Sequence, residues 1–326
     1  MKPTVRLPRI ARIAMVVGFV AASFSITFAG EPVSDAEAHN QSVWRDAIAR
    51  TEVPAAGCFE ASYPSMAWAK VECTVAPNIP YVPRRGAVSQ TVGDGHDYAA
   101  QVASGLINTT VGSFPTVTGV KKETGLLGAN DYSIQLNSNF MNTSTCKGAS
   151  DPAQCLDWEQ FVYSSGYKVA FMQYWLINWN TACPGGWFSF QNDCYTNSDG
   201  VTVPKEGIAK LKTLQLSGAA KKGGIDTLVF TVGTKAYSVT GEDSVVGLAT
   251  AWKESEFNII GDGDGSEATF NAGSTVTVKV AVSNGKTKAP KCASNAGTTG
   301  ETNNLNLGSC AGTSGSAPYI EFKESN

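Results

Sequence analysis

A mainly antiparallel β-sandwich in one large domain is the fold this chain predicts, and three observations predict it. From Val88 onward the 326-residue sequence is rich in Gly, Thr, Ser, Asn and Val. Short apolar runs there are separated by Asn-Gly, Gly-Asp-Gly and Gly-Gly breaks at hairpin spacing. Within that stretch only residues 205–222 could pass for a helix, and the Leu211, Leu214, Leu216 pattern fits a strand about as well. A closed barrel would satisfy the same pattern. The candidate strands are 132–136, 158–163, 169–179, 227–232, 236–239, 245–252, 256–260, 268–270 and 274–282.

Ahead of that domain, Lys2, Arg6, Arg9 and Arg12 precede an apolar run ending in Thr27-Phe28-Ala29. A charged stretch, an apolar stretch and a small-residue end make a signal peptide, residues 1–29, with cleavage expected after Ala29. The run is short for a bilayer span of about 20 residues, so no stable membrane insertion is expected after cleavage. The mature chain is expected outside the cytoplasm, periplasmic or extracellular.

Residues 30–86 form an N-terminal extension, with a short helix expected over 36–50. Cys58 and Cys73 enclose Phe59, Tyr63 and Trp68, a small stapled knot. Beyond them 76–86 carries three prolines and reads as an extended linker or exposed arm ending near Arg84-Arg85, an accessible cleavage point. Two readings fit the extension: a prosegment covering the main domain until cut, or a permanently packed appendage. The sandwich domain is then 87–326.

The eight cysteines are Cys58, Cys73, Cys146, Cys155, Cys183, Cys194, Cys292 and Cys310. An even number in an exported chain argues for four disulfides, and sequential pairing is the simplest arrangement. No Cys-x-x-Cys occurs and the only histidines are His39 and His96, which argues against zinc. With so few imidazoles, catalysis is pushed toward carboxylates. A net charge of -3 with 16% charged residues offers no field for a phosphate backbone, so nucleic acid is not an expected partner. No cofactor is expected.

Residues 168–179 are the longest apolar run. Both of its faces are mostly apolar, so it should be a central strand, with Gln173 as the odd member: a buried amide needs partners, in a neighbouring strand or a groove. After Asn284 the composition turns to Gly, Thr, Asn and Ser, which reads as a long surface loop closed by Cys292 and Cys310, with an edge strand over 317–322.

Residues 252–270 read as two strands joined by a glycine-rich turn. Side-chain alternation puts Glu254, Glu256 and Asn258 on one face and Ser255, Phe257 and Ile259 on the other. The acids form a solvated edge or the working face of a groove. The turn, with Asp262, Asp264 and Glu267, is similar to a calcium loop only loosely, and a solvated hairpin turn explains it better, so no metal is expected.

Three segments, Leu156-Asp-Trp-Glu-Gln-Phe-Val-Tyr163, Phe171-Met-Gln-Tyr-Trp175 and Glu256-Phe-Asn-Ile-Ile-Gly-Asp262, the last followed by Ala268-Thr-Phe270, run in the order of the catalytic segments of secreted glutamic peptidases. The chain thus resembles the eqolisin and neprosin-type families over about residues 130–282. Glu256-Phe-Asn-Ile-Ile-Gly and Phe270-Asn-Ala-Gly-Ser are also similar to strings in a group of exported bacterial proteins. The resemblance implies a concanavalin-like or jelly-roll sandwich, with Glu256 matching the eqolisin catalytic Glu, although Ser255 and Phe257 replace its flanking alanine and tryptophan. Gln160 would match the eqolisin Gln and Glu159 the neprosin Glu. Being adjacent, they face opposite sides, and Gln173 is a further candidate for the same role.

The function so implied is a secreted acid endopeptidase acting on polypeptide, in which Glu256 draws a proton from water attacking a peptide carbonyl and an amide or second acid steadies the oxyanion. Trp158, Tyr174, Trp175 and Trp179 would line the substrate groove. The alternative is a polysaccharide-binding sandwich stacking sugars on Trp158, Tyr163, Tyr174 and Trp179, or a polysaccharide-cleaving one with two opposed carboxylates.

Overall fold

The structure, a computed structural model, describes residues 1, 3–4, 34–86 and 90–326. The expected signal peptide falls outside them, apart from three residues at its start. Two large antiparallel sheets stack face to face, as the punctuated strand pattern predicts. The back sheet runs in the order Ala69–Val71, Cys58–Ser62, Lys235–Glu242, Ile225–Val232, Leu214–Ala219, Thr109–Thr118, Thr275–Ser283, Tyr319–Ser325, Asn306–Thr313. The front sheet runs Phe188–Phe190, Asp193–Thr202, Val169–Ile177, Leu156–Ser164, Ser133–Ser138, Glu254–Ile260, Ala99–Gln101, Lys291–Ala293, and Thr74–Val75 pairs with Asp193–Thr202. Four short strands, Thr302–Asn303, Glu267–Phe270, Glu123–Gly125 and Gly128–Ala129, make a third sheet.

The main core lies between the two large sheets, where alternate residues of each strand meet. Phe257 packs on Phe114 with ring centroids 5.0 Å apart, and Tyr163 stacks on Phe230 at 4.0 Å. Backbone must come close for such rings to fit. Gly112 leaves room for Phe257, whose ring would lie 2.0 Å from an added Cβ, and Gly218 does the same for Phe161 at 2.6 Å.

The extension is built into the sandwich. Its helix, Asp35–Ile48, starts where the Ser34 hydroxyl accepts from the Glu37 N–H, a serine cap followed by acids in the first turn. Trp44 and Ile48 pack on Ala61, Val229 and Ala236, on the outer face of the back sheet. Cys58–Ser62 pairs with Lys235–Glu242. All four disulfides pair sequentially: Cys58–Cys73, Cys146–Cys155, Cys183–Cys194 and Cys292–Cys310. They fit an oxidising compartment. No helix among the described residues is long and apolar enough to cross a membrane.

Three sequence expectations are corrected. Residues 245–252 form two 3-10 turns, Asp243–Val245 and Leu248–Thr250, because Asp243 accepts from the Ala249 and Gly223 N–H groups and winds the chain around its carboxylate. Glu267–Phe270 does not return beside Glu254–Ile260; it pairs with Thr302–Asn303 and Glu123–Gly125. Gly261 abuts the Ser266 carbonyl, and the Asp264 N–H donates to Pro80, so the glycine-rich turn swings away from its own strand. The polar tail is ordered: Lys291–Ala293 and Asn306–Thr313 are strands, and the loop between them folds over the front sheet.

Because Gly112 faces the Phe257 ring, Gly112→Ala is expected to lower unfolding stability by about 1–3 kcal/mol, as overpacked cores do. Urea denaturation of the variant beside the parent measures it, and an unchanged midpoint would contradict this packing.

Candidate active site

Register brings five polar side chains into one row across the exposed-side face of the front sheet. Glu256 sits opposite Asn137, Asn137 opposite Gln160, Gln160 opposite Gln173, and Gln173 opposite Asn197. Side chains directly opposite one another in a sheet share a face. Glu256, Gln160 and Gln173 therefore lie together, as do Trp158 and Trp175 on the same face of their strands. Glu256, Asn137, Gln160, Gln173, Trp158 and Trp175 are buried, and Asn197 is half-buried.

Glu256 is held by donors on one oxygen. Its Oε2 accepts from the Thr298 N–H at 2.7 Å, the Thr298 hydroxyl at 2.9 Å and Asn137 Nδ2 at 3.2 Å. Among the described residues its Oε1 meets no N–H or hydroxyl donor, and neither does Asp97 Oδ2; a Cβ on Gly297 would sit 2.8 Å from each. The two carboxyls face each other across that glycine. Burial, then the nearby charges of Glu256 and Glu324, hold the Asp97 carboxyl well above its ordinary range. Asp97 Oδ1 accepts from Asn258 Nδ2 at 2.8 Å.

Gln160 stands two strands from Glu256, roughly 9–10 Å by strand spacing, with Asn137 between. Gln135 links them: its Oε1 accepts from Gln160 Nε2 at 3.1 Å and Asn137 Nδ2 at 3.3 Å. Gln160 Oε1 accepts from the Trp175 indole at 3.1 Å. The amide touching Glu256 is therefore Asn137.

Glu159 points the other way, between the sheets, close to Asp226. Burial and then Asp226 hold Glu159 well above the carboxylate range, and burial and Asp243 push Asp226 to about 8. Tyr174 shares that inner face and belongs to the main core. Trp179 packs on the Cys146–Cys155 and Cys183–Cys194 disulfides, its indole donating to the Ala182 carbonyl. Trp175 stacks on Tyr195 with centroids 5.0 Å apart and meets Trp158 at a tilt, 6.3 Å away; Trp158 and Trp175 are fully buried, so neither presents a face for a sugar ring.

Across the row lies the chain's own arm. Gln173 Oε1 accepts from the Tyr81 N–H at 2.7 Å and its Nε2 donates to the Ile79 carbonyl at 2.9 Å, the pairing one peptide gives another. Asn197 Nδ2 donates to the Pro77 carbonyl at 3.0 Å. The Val82 N–H donates to Glu301 Oε1 at 2.9 Å, the Gly300 N–H to the Val82 carbonyl at 2.7 Å, and the Arg84 N–H to the Thr298 carbonyl at 2.8 Å. Tyr81 puts its hydroxyl on Asp262 Oδ1 at 2.6 Å. Burial pushes Asp262 and Glu301 up to about 7 against the donors that they accept from.

Asn137, Asn197, Asp97 and Glu301 escape the sequence reading. Gln135 and Asn137 alternating with Ile134 and Leu136 did carry a signal, a strand with one polar face. Asp97 and Glu301 lie outside the strands, and nothing local marks them.

The fold is a β-sandwich, and the site is a carboxyl pair with a row of amides under an extended peptide. No family model and no curated protein matches the chain. Among solved structures it is similar to scytalido-glutamic peptidase bound to a peptide-based transition-state analogue, at 15% identity and a TM-score of 0.31 over 72% of this chain and 98% of that chain. It is similar also to SCP-B, a member of the eqolisin family of peptidases in complex with the tripeptide Ala-Ile-His, at 14% identity and a TM-score of 0.29, again over 72% and 98%. The resemblance is a distant one of fold.

Buried acids of this kind set a pH dependence. Asp226 rises to about 8 and Glu123, Asp262, Glu301 and Glu324 to about 7, with burial the first cause of each. Each binds its proton more tightly folded than unfolded, where carboxyls titrate at roughly 4. The native state therefore holds more protons across that window; the contribution is full below it and lost as pH rises through 7 to 8. Unfolding midpoints are expected to fall from pH 4 to pH 8. Glu159→Gln, which can donate to Asp226 without a proton to lose, should flatten the fall and be more stable than the parent at pH 8. Chemical denaturation across that range checks both, and a flat profile for the parent would contradict them.

Proposed function

We propose that this protein is a secreted acid endopeptidase of glutamic type, with residues 30–86 a prosegment over its cleft. The observation that carries the reading is the arm itself: an extended peptide, backbone hydrogen-bonded by Gln173 and Asn197, leads along the amide row to Glu256. Groups that pair with peptide N–H and C=O in one chain can pair with them in another.

In this reading a water takes the place at Glu256 Oε1 once the arm and the loop it clamps have moved. Glu256 accepts a proton as the water oxygen bonds to the peptide carbon, and the Gln160 or Asn137 amide donates to the oxyanion. The C–N bond then breaks and the leaving amine takes the proton from Glu256. Asp97, neutral and adjacent, keeps the pair singly charged, a state that acid pH favours.

The covalent layout supports removal of the arm. Cys58 and Cys73 pair with each other, so a cut at Arg84–Arg85 leaves no disulfide between the extension and residues 90–326. Arg85 is exposed to such a cut.

Glu256→Gln is expected to lower kcat on an acid-denatured protein substrate at pH 3 to 5 by at least about 100-fold, the scale of a general base, with little change in folding. Undiminished cleavage would sink the reading. Blocking the cut with Arg84→Ala and Arg85→Ala together is expected to leave the full chain inactive toward the same substrate; rates equal to the cut protein would show that the arm does not cover the site.

A further inference from the structure

We propose that the pocket now filled by Tyr81 is a subsite selecting a tyrosine side chain in bound peptides, with Asp262 reading the phenol hydroxyl; the proposal rests on the peptide-cleft reading above. The walls belong to the sandwich: Val162, Val169 and Phe171, on two neighbouring front-sheet strands. The occupant belongs to the arm. Tyr81 is fully buried there, its ring edge-on to Phe171 with centroids 5.7 Å apart.

The floor is polar and built in place. Asp262 Oδ2 accepts from the Ser164 hydroxyl at 2.9 Å and the Gly166 N–H at 3.0 Å, which leaves Oδ1 for the phenol. The turn aims it inward: Gly263 adopts φ +87°, a conformation that a side chain at this position would strain. A phenylalanine in the pocket would bury Oδ1 without a donor. Sites built to bond a hydroxyl reject the analogue lacking it far more strongly than apolar pockets reject a change of size.

Position follows from the backbone. Gln173 fixes the Tyr81 N–H, so the residue in that register delivers its side chain to the pocket. From Tyr81 the arm continues through Val82 at Glu301 to Arg84 at Thr298, the residue that bonds Glu256. A substrate following this path carries its tyrosine on the N-terminal side of the bond facing Glu256.

The test uses the full chain with Tyr81→Gly, which empties the pocket, and 4-methylphenol and toluene as probes. 4-Methylphenol is expected to raise the melting temperature of this variant with half-saturation at least tenfold below that of toluene, and Asp262→Ala added to it should abolish the difference. Equal response to the two probes would overturn the proposal. Should Tyr81→Gly not fold, Tyr81→Phe and Asp262→Ala, singly and together, decide by stability: a non-additive pair supports the hydroxyl–carboxyl contact, an additive one overturns it. In cleavage of a mixed peptide library, enrichment of tyrosine N-terminal to the cut is expected, and equal use of phenylalanine would overturn the proposal. No cleavage at all counts against the peptidase reading alone, since the probe binding still decides the pocket.

Discussion

A carboxylate withdrawn from water must be met by donors, and the way Glu256 is met organises the whole front of this molecule. Its Oε2 takes the Thr298 N–H and hydroxyl, so the loop after Lys291–Ala293 has to lie on the sheet. That loop is held in turn by the arm, through Arg84 at Thr298 and Val82 at Gly300 and Glu301. The other oxygen faces Asp97 across Gly297, and burial holds that second carboxyl well above its ordinary range. Acid, loop and arm are one connected arrangement.

The same constraint appears between the sheets, where burial holds Glu159 and Asp226 above the ordinary carboxylate range. Buried acids thus lie both beside Glu256 and between the sheets. Neighbouring residues of one strand, Glu159 and Gln160, serve these two places because alternation sends them to opposite faces. The arm is held by side chains over 77–81 and by backbone pairing over 82–84, where Val82 and Arg84 flank the Pro83–Thr299 bridge.

Much of this was legible in the sequence, and the limits have physical causes. Alternation alone places Glu256 opposite in sense to Phe257, and Gln173 opposite to Tyr174, and the structure agrees. The sequential disulfides and the antiparallel sandwich follow from composition and spacing. What alternation cannot supply is which strands are neighbours. The amide beside Glu256 is Asn137 and not Gln160, since Ser133–Ser138 lies between their strands. Tyr174 and Trp179 read as groove aromatics because of their type, yet one faces the core and the other covers disulfides. The acidic turn at Asp262 looked solvated because its sequence is all turn formers; its burial comes from Tyr81, some 181 residues away. The polar stretch 284–306 carries little apolar signal, and Glu256 fixes part of it by accepting from the Thr298 and Thr299 N–H groups.

Occupation of the cleft by the arm is tested most directly by steady-state inhibition of the arm-cleaved protein with a synthetic peptide spanning residues 76–85 at acid pH. If the arm occupies the cleft that leads to Glu256, the peptide inhibits competitively, raising KM for a peptide substrate and leaving kcat unchanged. Inhibition that lowers kcat without touching KM, or none at saturating peptide, would place the substrate elsewhere and contradict the account.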